Sequence, residues 1–131
     1  MADPVAQFAR AKYLNLETFR KTGAAVRTPV WFVQDVCHSN PSTTVFYIYS
    51  ELDAGKVKRV RNNSKVRIVP CNFRGKVSGE WIDAKARICT GADAAHGQEL
   101  LRRKYGALKI VGDFFGKLLR HRNAVIAIDV E

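Results

Sequence analysis

The chain has 131 residues, 47% hydrophobic and 26% charged, which excludes a disordered protein and suits one domain burying roughly two-thirds of its unfolded surface. Its net charge of +10, from 22 Lys and Arg against 12 Asp and Glu, favours nucleic acid, a phosphorylated small molecule or a membrane surface as partner without choosing among them. No apolar run approaches the ~18 residues of a membrane span, and Asp3, Gln7 and Arg10 interrupt the N-terminal segment where a secretory signal needs an apolar core, so a soluble, cytoplasmic protein is expected.

PVAQFARAKY (4–13) reads as a short helix beginning at Pro4, a residue tolerated in a first turn. LNLETFRKTG (14–23) alternates Leu14, Leu16 and Thr18, the period of a strand, and stops at a hairpin turn on Thr22 and Gly23. In AAVRTPVWFVQ (24–34), Val26, Thr28, Val30 and Phe32 share one face, and Arg27, Pro29, Trp31 and Val33 the other. Pro29 cannot donate to a ladder, so this strand is expected at an edge or a bulge. DVCHSNPSTT (35–44) is a polar loop, and TVFYIYS (44–50) is a strand of aromatic and branched residues.

A helix over 54–63 follows, then a strand in VRIVPC (66–71) and a turn at NFRG (72–75). In SGEWIDAKARIC (78–89), Ile82, Ala84, Ala86 and Ile88 face a core, and Trp81, Asp83, Lys85 and Arg87 face away. AAHGQELLRRKYG (94–106) is an amphipathic helix with Leu100, Leu101 and Tyr105 inward. LKIVGDFFGKLL (108–119) is apolar without a clean period, read as a helix, and AVIAIDV (124–130) is a strand. Short connections mean antiparallel pairing, and so many strands in so short a chain tend to close. The expected architecture is a single α+β domain over 1–131, an antiparallel six-stranded β-barrel with peripheral helices.

The stretch SELDAGKVKRVRNN (50–63) carries four cations in six residues: Lys56, Lys58, Arg59 and Arg61. On a helix with Asp53 as N-cap, Val57 and Val60 form a stripe that packs inward. Lys56, Arg59 and Asn63 share one flank; Lys58 and Arg61 lie on the other. A cation in the first turn opposes the helix dipole at a cost of about 0.3–1 kcal/mol, while the free N–H groups there attract an anion. Lys56 and Arg59 thus suit a phosphate group, although a solvated basic helix explains the segment equally well. Gly55 favours the phosphate, since it lets a ligand approach the backbone.

Cys37, Cys71 and Cys89 are odd in number and form no C-x-x-C pair, so reduced thiols are expected, with Cys71 and Cys89 in apolar strands. Cys37 and His38 are neighbours in sequence, which rarely gives the geometry of a nucleophile and its base. His38, His96 and His121 are scattered and read as surface or loop residues.

RTPVWFV (27–33), YSELDAGKVKRVR (49–61) and VRIVPCNFRGKVSGEWIDAKARI (66–88), with FARAKYLNLETFRKTG (8–23) and LLRRKYG (100–106), resemble the pyridoxamine 5′-phosphate oxidase-related split barrels in order and spacing. The resemblance is nearest the branch dependent on the deazaflavin coenzyme F-420. It implies a homodimer of split β-barrels with two sites for FMN or F-420 at the subunit interface. Arg27, Thr28, Pro29, Val30 and Trp31 would line the isoalloxazine-type ring, and Tyr49 and Ser50 would approach the ribityl chain. Lys56 and Arg59 would take the phosphate, and Pro70, Cys71 and Asn72 would close the pocket, with Glu80 or Trp81 nearby. The chain departs from the branch at Ala54, where Ser is frequent, at Ser50, where Thr is usual, and in the longer loop 35–44.

The absence of an acid–base constellation suits an oxidoreductase whose cofactor carries the hydride to or from a small organic substrate. For the acidic tail of F-420 the receptors would be Lys58, Arg61 or the basic run Arg102, Arg103 and Lys104. Two rivals belong to other classes. One is a nucleic-acid-binding barrel that stacks bases on Trp31, Phe46, Tyr47 and Tyr49, which the split cations and alternating aromatics disfavour; the other is a cofactor- or haem-binding relative without turnover.

Overall fold

The runs with a period of two become strands in the computed structural model, which describes residues 4–35, 44–51, 55–105 and 123–130. The strands are β1 (Tyr13–Phe19), β2 (Ala25–Trp31), β3 (Val33–Asp35), β4 (Thr44–Glu51), β5 (Lys65–Cys71), β6 (Ile82–Ile88) and β7 (Asn123–Val130). Helix α1 (Gly55–Asn62) follows β4, and α2 (Gly91–Tyr105) follows β6. Cys37, His38, the N-cap Asp53, Ala54, the segment 108–119 and His121 lie outside the described residues, as does the Tyr105 side chain. At the N-terminus the expected helix is a 3-10 turn over Pro4–Phe8. Its tighter bonds, Ala9 N–H to the Ala6 carbonyl and Ala11 N–H to the Phe8 carbonyl, suit a piece this short.

All pairings are antiparallel, in the order β2-β1-β5-β6-β7-β4-β3. Seven strands, not six, stand among the described residues, because the run 24–34 divides at Phe32. Its first part pairs with β1 at one end of the sheet, and its second with β4 at the other. One residue therefore ties the two ends together, and the sheet must curl. Pro29 lies in β2, a terminal strand, where its missing N–H is tolerated.

The concave side holds the main core. Phe32 is buried where the chain bends, and its ring lies 5.9 Å from Phe8 and 5.6 Å from Phe46. Burying each such ring is worth about 1.5–3 kcal/mol, enough to hold the bend. Val57 and Val60 of α1 join this core, as their helical stripe predicts. Ala86 is buried in it, with Ile82, Ala84 and Ile88 packed against it.

On the convex side, α2 packs on β4 and β7 through Leu101, Tyr47, Val125 and Ala127. The close approach depends on Gly97. A Cβ at this position would sit 2.7 Å from both the Tyr47 ring and a Val125 methyl. On an exposed helix, Gly→Ala would stabilise by about 1 kcal/mol; here overpacking, at about 1–3 kcal/mol, should win. We expect Gly97→Ala to lower the denaturant midpoint with the slope unchanged. A raised midpoint would show that α2 does not rest on the sheet as closely as described.

Candidate functional site

Strand register brings the aromatic residues together. In the β1–β2 hairpin Tyr13 stands opposite Trp31, their ring centroids 6.2 Å apart. Beside them is a cavity of about 230 Å³ lined by Tyr13, Pro29, Val30, Trp31, Tyr49, Lys56 and Leu101. Five of these, Pro29, Val30, Trp31, Tyr49 and Lys56, are site residues expected from the sequence; Tyr13 and Leu101 are additions. Lys56 lies in the first turn of α1, the positive end of the helix dipole, which favours an anion. Burial raises the Tyr49 hydroxyl above its usual pKa, against the opposing pull of Arg102, so at neutral pH it is a neutral donor. The cavity thus offers apolar and aromatic walls for a flat ring system, and a cation at a helix N-terminus for an anionic end.

Pro70, Cys71 and Asn72 line a neighbouring hollow of about 550 Å³, which shares Tyr13 with the first. Asn72 is occupied by its own turn: its side-chain oxygen accepts from the N–H groups of Arg74 and Lys76, at 2.9 and 3.0 Å. Gly75, at φ +83°, completes that turn. Cys71 is a buried free thiol, as is Cys89, and burial raises both above the usual thiol pKa. Neither is therefore an activated nucleophile.

Other expected residues are committed elsewhere. Arg27 donates to Glu17 at 2.8 Å, and its guanidinium stacks 4.8 Å from the Trp81 ring centre. Arg59 reaches Thr18 at 2.6 Å, its guanidinium folded into the space above Gly55. The opening expected at Gly55 for a ligand is thus taken by the protein's own cation. Burial, and then Arg20, lower the Arg59 pKa. Thr28 is half-buried, and Ser50 is buried on β4 opposite Ala124. Glu80 is joined to Gln7 through its backbone.

Among the proposed receptors for an acidic tail, Arg102 and Arg103 pair with Glu99. Lys104 donates to the Phe32 carbonyl at 2.8 Å, and burial pushes its pKa down to about 8. Lys58 and Arg61 are exposed. His96 is bonded to Asp35 at 2.9 Å and meets the Tyr47 ring edge-on. A third hollow, of about 610 Å³, mixes Lys65, Arg67 and Lys85 with Asp83 and Asp129. Its size exceeds that of the Trp31 cavity, but opposite charges on one wall leave little preference for an anion. No group of three His, Cys, Asp or Glu among the described residues is placed to hold a metal ion.

No family model and no curated protein matches this sequence. Solved structures do match. The haem storage protein of Vibrio cholerae superposes with a TM-score of 0.67 at 15% identity, over 97% of this chain and 87% of that one. A candidate pyridoxamine 5′-phosphate oxidase of Listeria innocua gives 0.63 at 12% identity, over 95% and 87%. An F420 reductase gives 0.57 at 14%, over 98% and 93%. The fold is the split barrel of the pyridoxamine 5′-phosphate oxidase-related proteins. In this split barrel, β2 and β3 are the two halves of the bent strand that joins the sheet ends.

One ion cluster positions the β2 side of the split barrel. Glu17, fully buried on β1, accepts from Arg27 on β2 and from Arg67 on β5, the latter at 2.5 and 2.9 Å. The Arg67 bonds hold its carboxyl below the usual range, overcoming the upward push of burial, and Arg27 assists. A depressed carboxyl pKa contributes stability above the unfolded value, about 4.3, that is lost as pH falls through the folded value. We expect Glu17→Gln to remove that acid-side dependence. Arg67→Met, which leaves a buried carboxylate with one partner, should cost about 3–5 kcal/mol and exceed the loss from Glu17→Gln. Urea melts at pH 3 to 7 would show this; a smaller loss for Arg67→Met would contradict the assignment.

Proposed function

We propose that this chain is an oxidoreductase that binds FMN or F-420 in the Trp31 cavity. The observation that supports the reading is the convergence of Tyr13, Trp31, Tyr49 and Lys56 on one hollow. The solved F420 reductase with the same fold adds weight. When bound, such a cofactor accepts and donates a hydride. The chain supplies position and electrostatics. Pro29, Val30 and Leu101 exclude water from the ring, Tyr49 offers a neutral hydroxyl, and Lys56 anchors the phosphate.

Arg59 is ready to assist if its bond to Thr18 opens. The phosphate role shared by Lys56 and Arg59 in the sequence reading then becomes mainly that of Lys56. Arg27, Thr28 and Ser50 act indirectly, through the strands that carry Pro29, Trp31 and Tyr49.

A hollow of about 230 Å³ is smaller than the ~300–1,000 Å³ of most ligand sites. A second copy of the chain completing the wall would supply the difference, so the reading includes a homodimer. The unpaired, buried Cys71 and Cys89 suit a reducing, cytoplasmic setting. Among the described residues no helix is long and apolar enough to cross a membrane. Two of the four aromatics that a base-stacking barrel would use, Phe46 and Tyr47, are buried, which disfavours nucleic acid. The likeness to a haem storage protein supports one second reading, a binding protein without turnover. Against it, the described lining of the Trp31 cavity has no His, Cys or Met for an axial position, and only Tyr13 and Tyr49 remain.

The test is equilibrium titration with FMN, F-420 and riboflavin, which lacks the phosphate. We expect Lys56→Ala to weaken binding of the phosphate-bearing cofactor roughly tenfold to a hundredfold and to leave riboflavin unchanged. Equal affinity of wild type and Lys56→Ala for FMN and F-420 would contradict the anchor. Repeated hydride turnover distinguishes the enzyme from a carrier, which would stop after one equivalent.

A further inference from the structure

The hollow beside the cofactor cavity has a chemistry of its own. Its charged lining residues are Arg10, Lys12 and Lys76, and no carboxylate appears among its described lining residues. Phe73 and Val77, the exposed large hydrophobics among the described residues, both line it. Phe73 is 64% exposed, a large apolar surface that would favour being covered. Cations and apolar groups therefore meet on one concave surface.

The walls are held in place. Gln7 exchanges two hydrogen bonds with the backbone of Glu80, at 2.8 and 2.9 Å, and so ties the N-terminal segment to the chain leading into β6. Opposite, Asn72 and Gly75 fix the turn that carries Phe73, and both the backbone and the hydroxyl of Ser78 donate to the Pro70 carbonyl. A site with fixed walls loses little entropy when a ligand enters. Tyr13 is the wall common to both hollows, so a molecule in the larger one lies next to whatever ring stands beside Trp31.

We propose that this hollow binds an organic anion with a flat apolar body, and that it is the substrate subsite of the redox reaction. The aromatic and aliphatic part rests on Phe73 and Val77, and Arg10 and Lys76 receive the carboxylate or sulfonate. The substrate role rests on the cofactor reading given above; anion binding does not.

The test uses 8-anilinonaphthalene-1-sulfonate, an aromatic anion that brightens on leaving water, and its uncharged relative N-phenyl-1-naphthylamine, both with cofactor-free protein. We expect Arg10→Gln/Lys76→Gln to weaken the sulfonate about tenfold or more and the neutral probe less than about twofold. Arg20→Gln/Lys21→Gln removes the same charge from the exposed turn between β1 and β2 and should leave both unchanged. Phe73→Ser should weaken both. Sulfonate binding equal to wild type in the Arg10/Lys76 variant would overturn the proposal, as would an equal loss in the Arg20/Lys21 variant. A change of oligomeric state in the Arg10/Lys76 variant without loss of the sulfonate would overturn it in favour of an interface between copies. FMN and F-420 titrations of the same variant separate the two claims. Unchanged cofactor affinity with lost sulfonate supports the subsite, whereas absence of cofactor binding in wild type with sulfonate retained removes only the redox role.

Discussion

A carboxylate with no solvent contact must keep its cations, and in this chain that requirement fixes three strands at once. Glu17 stands directly opposite Arg27 on β2 and Arg67 on β5. Slipping either partner by one residue would separate the charges and turn outward core side chains such as Val30 on β2 or Ile68 on β5. The same two registers, four residues earlier on β1, place Tyr13 opposite Trp31 on one side and Cys71 on the other. Trp31 lines the smaller hollow and Cys71 the larger, with Tyr13 between them. The wall between the two sites is therefore set by an ion cluster that belongs to neither. Trp81 backs that cluster, with Arg27 and Arg67 at 4.8 and 5.2 Å from its ring centre.

The second constraint is closure. Phe32 joins the two ends of the sheet, and its ring is one of three that meet in the core. Lys104, at the end of α2, donates to the Phe32 carbonyl at the bend. Helix α2 is thus tied at one point by Lys104 and at another by the contact that Gly97 permits. Leu101, on the same helix, closes the Trp31 cavity from outside the sheet. Core, helix and hollow share these few residues, so changes in α2 should be felt at the Trp31 cavity.

Much of this was legible in the residues. The stripe of Val57 and Val60 announces which side of α1 packs, and Pro29 announces an edge or a bulge, of which the sheet order shows the edge. The turn at Thr22 and Gly23 announces the β1–β2 hairpin, but a two-residue turn there would set Tyr13 opposite Phe32; the loop closes instead between Arg20 and Ala24, one residue longer, which brings Tyr13 to Trp31. The bend at Phe32 was hidden, because the alternation of 24–34 continues through it unbroken. The partners of Arg27 and Arg59 were hidden too. Period and charge say that a cation sits on a face, but not that Glu17 or Thr18 is within reach once strands pair. Leu101 was read correctly as inward, yet nothing local says that its neighbours include Trp31 and Tyr49. Pro70, Cys71 and Asn72 belong to a second hollow because β5 is separated from β2 by β1, a fact of sheet order that only long-range pairing decides.

The central claim is that the Trp31 cavity receives the ring of a flavin-type cofactor, and the chain's two tryptophans allow it to be located. Trp31 lines the cavity, whereas Trp81 lies with Arg27 and Arg67 away from it. Their indole N–H signals can be assigned with Trp31→Phe and Trp81→Phe and followed by nitrogen–proton correlation spectra as FMN or F-420 is added. We expect a large, saturable shift of the Trp31 signal and little movement of Trp81. A shift confined to Trp81, or no shift of either signal with both cofactors, would contradict the site described here.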